Sequence, residues 1–112
     1  MRIMIPLVEG KLTPHFGHCS EFAQLDVDES TGEIKANERI DAPPHQPGLL
    51  PGWLAERDAN LVIVGGMGQR ARDLLEERGV TVIVGVAPDT PEALVERWHA
   101  GSLAGGQNLC DH

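Results

Sequence analysis

An α/β fold, a sheet with helices packed on its faces, follows from three features of this sequence. The runs Leu61-Val62-Ile63-Val64 and Val80-Thr81-Val82-Ile83-Val84 have the length and β-branched content of strands buried on both sides, as parallel sheets require. Between them Met67, Ala71, Leu74 and Leu75 fall at i, i+4, i+7 and i+8, one apolar helical face, with Arg70, Arg72, Asp73, Glu76 and Glu77 outside it. Thr90-Pro91-Glu92 then offers an N-cap, a first-turn proline and an early acid for a second helix through Trp98. The second half of the chain therefore reads β-α-β-α, which calls for layers of helix and sheet.

The first half supplies the remaining strands. Ile3-Met4-Ile5-Pro6-Leu7-Val8 is a short buried strand ended by Glu9-Gly10, and Pro6 places it where no ladder donor is needed, near an edge or a strand end. A polar loop from Gly10 to Ser20 leads to a strand over Phe22 to Asp28, whose alternation from Gln24 onward predicts one buried face. Glu29-Ser30-Thr31-Gly32 closes a hairpin onto Glu33 to Ile40, with Gly32 supplying a positive φ. Asp41 to Pro51 carries four prolines and predicts a loop, with a short helix from about Gly52 to Arg57. Gly79 is placed to end the helix after the Leu61 strand. Trp53 and Trp98 are expected on core-facing helix sides. A single domain over residues 1–99 is expected, followed by a Gly-rich tail, 100–112, that has neither helical nor strand period and ends in Cys-Asp-His.

Composition excludes several function classes. Nine Lys and Arg against 17 Asp and Glu give a net charge of -8, and no stretch gathers the bases, which argues against nucleic-acid backbone binding. Aromatics are 4% of residues, too few for base-stacking platforms. No apolar run approaches the roughly 20 residues of a membrane span, and the start lacks a signal peptide's apolar region, so a soluble cytoplasmic protein is expected. Two cysteines build no disulfide framework; reduced thiols beside histidines point to metal.

Chemistry-bearing residues concentrate in three places: Thr13-Pro14-His15-Phe16-Gly17-His18-Cys19, Gly65-Gly66-Met67-Gly68, and Asn108-Leu109-Cys110-Asp111-His112. The first two follow the carboxyl ends of strands, where open α/β sheets bind ligands, so they are expected to share a site. His15, His18, Cys19, Cys110 and His112 offer imidazoles and thiolates suited to zinc, copper or iron-sulfur species. The alternative for the first loop is a turn residue at His15 and a small buried hydrophobe at Cys19; for the tail it is a disordered end or a redox contact between Cys110 and Cys19. The spacing matches no zinc finger, and two cysteines cannot hold a [4Fe-4S] cluster within one chain without histidines or a second subunit. Gly66-x-Gly68-x-x-Ala71 also matches a dinucleotide fingerprint, with Asp89 near the position of a ribose-binding acid. More generally, glycines at a helix N-terminus let backbone N–H groups approach an anion, with Arg70 and Arg72 nearby; otherwise they only permit a tight turn. His45 and His99 are given no role. No Ser-His-Asp elbow, P-loop or His-Glu-x-x-His occurs, so hydrolytic catalysis finds no support.

At these residues the chain resembles the dinitrogenase iron-molybdenum cofactor biosynthesis family, the small domains similar to NifX and to the C-terminal part of NifB. The resemblance is carried by Met1 to Leu7, by Pro14 to Cys19 leading to Phe22, by Leu61 to Gly68 with Ala71, and by Gly106 to His112. It implies a three-layer α/β/α, ribonuclease H-like fold around a mixed five-stranded sheet, the hairpin-formed second strand running against the others. It implies a non-catalytic role, binding, storing or delivering an iron-sulfur or Fe/Mo-containing cluster and exchanging it with a protein donor or acceptor. His15, His18 and Cys19 would line the cluster mouth with Phe16 and Gly17, while Gly66, Met67 and Gly68 form its floor. Cys110 and His112 would fold over as a lid or supply ligands in trans. A cluster shared across a homodimer accounts for two cysteines per chain as well as one held within a chain. The alternatives are a mononuclear zinc protein using His18, Cys19, Cys110 and His112, and a small nucleotide-binding module built on Gly66-x-Gly68.

Overall fold

The computed structural model describes residues 1–44, 46 and 48–103, so the expectations for His45, Cys110 and His112 lie outside the described residues. Six strands and three helices appear in the order β1 (Arg2–Val8), β2 (Lys11–Leu12), β3 (Glu21–Val27), β4 (Ile34–Asp41), α1 (Leu49–Glu56), β5 (Leu61–Ile63), α2 (Gln69–Glu77), β6 (Thr81–Ile83) and α3 (Pro91–His99). The main path across the sheet is β4-β3-β1-β5-β6, with β2 added to the end of β1. β3 runs antiparallel to both neighbours, whereas β1, β5 and β6 are parallel. The mixed five-stranded sheet is thus present, with one short extra strand.

Alternation along the strands divides the core in two. Ile3, Ile5 and Leu7 of β1, Ala23 and Leu25 of β3, and Leu61 and Ile63 of β5 pack under Leu94 and Val95 of α3. Met4, Phe22, Val62 and Val64 face the other way, under Leu54 of α1 and Leu75 of α2. Three layers result because every central strand has two apolar faces to cover. Trp53 packs on the second cluster and Trp98 on the first. Among the described residues no helix is long and apolar enough to cross a membrane.

Several local expectations are corrected. β1 is central, not at an edge, yet Pro6 sits inside it. The carbonyl of Pro6 accepts the Thr13 N–H at 3.0 Å, so its missing donor faces the β2 and β5 side. There β1 pairs β5 only through Ile3 and Met4, so the ladder loses nothing at Pro6. The Gly10–Ser20 loop contains β2 and a single 3-10 turn, Phe16–His18. Gln24, expected to face solvent, is 8% exposed because α1 ends over it and the Arg57 Nε donates to its side-chain oxygen at 3.2 Å. α1 begins at Leu49 rather than Gly52, since Pro51 lies in the first turn, where a helical residue needs no N–H. Met67 precedes α2 instead of lying on it, though it is fully buried. Thr90 caps α3, accepting from the Ala93 N–H, and Gly32 and Gly79 take the positive φ the turns require.

Candidate functional site

β1 and β5 run side by side, and the chain leaves their carboxyl ends in opposite directions, toward β2 and β3 from one and toward α2 from the other. A crevice opens at such a switch point. Its two walls meet at Gly65, where a Cβ would stand 3.0 Å from the Pro14 Cα and 3.1 Å from the Thr13 carbonyl oxygen. Only a residue without a side chain lets the first loop lie so close. One step on, the Phe16 N–H donates to the Gly66 carbonyl at 2.9 Å and ties the two loops together.

Phe16 is the anchor of the first loop. Its ring is buried, set edge-on to Phe22 at 6.2 Å between centroids, and Phe22 in turn meets Trp53 of α1 at 5.2 Å. With Phe16 pinned, Gly17 faces the crevice while His15 and His18 stay exposed on either side, their ring centroids 5.7 Å apart. Cys19 is half-buried against the same apolar cluster, and burial pushes its thiol up to about 11, so it holds its proton at neutral pH.

The crevice is a cavity of about 260 Å³. Phe16 and Gly17 form one side; Gly66, Met67, Gly68, Arg70, Ala71 and Leu74 form the opposite side; Gln46, Gly48, Leu50 and Pro51 complete the rim. The wall is mostly apolar, and Arg70 is the one charged residue among those lining it. The first turns of α1 and α2 both adjoin the cavity, neither has a side-chain cap, and neither contains an acid. Uncapped first-turn N–H groups and an arginine give the opening a positive character in a chain of net charge -8.

Of the residues singled out in the sequence, Phe16, Gly17, Gly66, Met67 and Gly68 line the cavity. His15 and His18 stand at its mouth, whereas Cys19 turns toward the core. Among the described residues no three His, Cys, Asp or Glu side chains converge as a metal site. Cys110 and His112 lie outside the described residues. The Pro-rich connection, read only as a loop, contributes Gln46, Gly48, Leu50 and Pro51; the cue was its position ahead of a helix beginning at Leu49. Asp89 does not reach the glycine turn. Its carboxylate pairs with Arg97 at 3.4 Å and accepts the Thr90 N–H at 2.8 Å, which ties it to α3. His99 bonds the Ser30 carbonyl at 3.3 Å, across from the hairpin turn, not a carbonyl of its own helix.

Comparison with known proteins bears on this geometry. A family model described as Dinitrogenase iron-molybdenum cofactor matches residues 1–101. The uncharacterized protein MJ0580 of Methanocaldococcus jannaschii is 31% identical over 87 residues, 73% of this chain and 72% of that one. The crystal structure of PH0822 superimposes with a TM-score of 0.87 at 24% identity, covering 97% of both chains. The apo form of the orange protein from Desulfovibrio gigas superimposes with a TM-score of 0.72 at 25% identity, covering 96% of this chain and 93% of the other. The family model reaches across both loops of the cavity and nearly the whole described chain, and the chain belongs to the dinitrogenase iron-molybdenum cofactor family.

Proposed function

We propose that this chain binds an iron-sulfur or Fe/Mo-sulfur cluster at the cavity and delivers it to a protein acceptor, as a cytoplasmic carrier rather than a catalyst. The observation that carries the reading is the Phe16 to Gly66 hydrogen bond, which makes one walled opening out of two loops. Family membership associates the chain with iron-molybdenum cofactor chemistry. A sulfide-rich cluster is a weakly hydrated anion. Apolar walls with uncapped N–H groups and Arg70 at the rim match that chemistry.

In this reading His15 and His18 approach the cargo from the mouth, and Cys110 and His112 complete its ligands. Cys19 joins only when an arriving metal displaces its proton, since burial holds the thiol near 11. A ligand set that is incomplete within the described domain suits a protein that must release what it holds. The imidazole pair His15 and His18 also favours a second reading, a mononuclear zinc site.

The test is iron, molybdenum, zinc and acid-labile sulfide analysis with a visible spectrum, on protein purified without oxygen and again after reconstitution with iron and sulfide. Iron with matching sulfide and charge-transfer absorption is expected, and Cys110→Ser or His112→Ala should lower retained iron while leaving the fold intact. A colourless protein holding zinc alone, before and after reconstitution, overturns the carrier reading.

A further inference from the structure

The outer edge of the sheet carries a second feature, independent of the cavity and of any cargo. β4 is eight residues long, contains no proline, and pairs only with β3 among the described residues. The register fixes which of its backbone groups are free. Val27 N–H bonds to Met1, so odd-numbered residues of β3 address β1, and Phe22, Gln24 and Asp26 address Ile40, Glu38 and Ala36 of β4. The N–H and C=O groups of Asn37, Arg39 and Asp41 therefore point outward. Such a row pairs with another strand unless the side chains forbid it.

The side chains forbid all but one self-pairing. Two copies of β4 can meet antiparallel, with the same faces aligned, in registers that differ by one residue at the symmetry axis. Centring on Asn37 would set Lys35 against Arg39, and centring on Arg39 would set that arginine against itself. Centring on Glu38 sets Lys35 against Asp41 of the second copy, Asn37 against Arg39, and Ala36 against Ile40, each pair occurring twice. In this register the outward groups of Asn37 and Arg39 fall opposite each other, as ladder hydrogen bonds need. The one unfavourable pair is Glu38 with its own copy.

Nothing on the strand opposes this arrangement sterically. Lys35, Asn37, Glu38, Arg39 and Asp41 are exposed. Lys35 is held only by a 3.7 Å ion pair to Asp28 with 62% of its side chain exposed, and Asp41 has no ion pair among the described residues. Arg39 already reaches Asn37 and, at 3.3 Å, Glu92, which fixes both side chains on the α3 side of the sheet.

We infer that β4 is a self-association edge, joining two copies of this chain into one continuous sheet with Glu38 at the two-fold axis. The partner is a second copy because charges and backbone groups match only the strand's own sequence reversed. The chain continues from Asp41 to Gln46 and Gly48 at the cavity rim, so pairing restrains the strand that leads into that rim.

Sedimentation velocity on the full chain, over a series reaching millimolar concentration, tests the edge. A reversible monomer-dimer equilibrium is expected. Lys35→Asp and Asp41→Lys should each weaken it roughly fivefold or more, because each change opposes like charges at two places. The double variant should restore the original association, which loss of the Lys35–Asp28 pair within one copy would not do. Glu38→Gln should tighten the dimer roughly threefold by removing the like-charge pair. A chain that stays monomeric throughout overturns the inference. So does a dimer indifferent to the single changes, or one that the double variant fails to restore, provided circular dichroism shows each variant folded.

Discussion

Gly65→Ala tests whether the two loops meet as closely as the cavity requires. A Cβ at this position would lie 3.0 Å from the Pro14 Cα, 3.1 Å from the Thr13 oxygen and 3.2 Å from the Pro14 oxygen. All three are backbone atoms, so no flexible side-chain tip can swing aside. The first loop must move, and it is held by the Thr13 N–H to Pro6 and the Phe16 N–H to Gly66 bonds, at 3.0 and 2.9 Å. Overpacking against fixed structure costs about 1–3 kcal/mol. Loss of the Phe16 bond would add about 1 kcal/mol. Gly68→Ala is the control: nothing lies within 4 Å of its Cβ, and its φ of -63° suits alanine. There the entropy gained by restricting the unfolded chain and the weaker N-cap largely offset, so a change within about 0.5 kcal/mol is expected. Urea unfolding of the two variants measures both, and iron reconstitution reads the effect on the cavity. Equal, small losses from Gly65→Ala and Gly68→Ala would refute the close approach at Gly65.

Three further outcomes can be measured. In a Cys110→Ser background, Cys19 should alkylate slowly at pH 8, where a thiol titrating near 11 is ionised to only about 0.1%, and speed up toward pH 11; a rate matching a free thiol would contradict its burial. Acidification should destabilise the fold through Asp26, whose pKa lies below the ordinary range because Arg2 bonds it, and through Glu92, lowered by its own backbone N–H and then by Asn37 and Arg39. These contributions are full above the ordinary carboxylate range, fall as the unfolded chain takes up protons that the folded one refuses, and vanish below the folded values; a stability profile flat from pH 6 to about pH 3 would contradict this. Gly32→Ala should lower stability by about 1 kcal/mol or more, because φ is +76° and the new Cβ would fall 2.6 Å from the His99 ring, and Gly32→Ala in a His99→Ala background should cost less.

Much of the fold is legible from apolar spacing. The strands at Leu61 and Thr81, the face of α2, the cap at Thr90 and the turn at Gly32 each carry their own local signal. What escapes is set by distant partners. β2 is two residues long and exists only because Leu12 and Lys11 find Leu7 and Val8. Gln24 reads as solvent-facing until Arg57, far along the chain, arrives to bond it. Pro6 reads as a strand end, although β1 is central and merely changes neighbours there. The same holds at the cavity. Its glycines stand out in the sequence, but Gln46, Gly48 and Leu50 belong to a loop with no chemical signature, and Asp89 has the right spacing while α3 keeps it elsewhere.

The bond between Phe16 and Gly66 joins residues fifty apart, whereas β1, β3 and β4 pair through short connections. Contacts of low sequence separation form early, and long loops close late. The opening for cargo therefore arises only when the β5–α2 half docks onto the meander that precedes it. A partly folded chain can hold its first sheet without holding a site, which leaves an empty, half-assembled molecule unable to capture a reactive cluster prematurely.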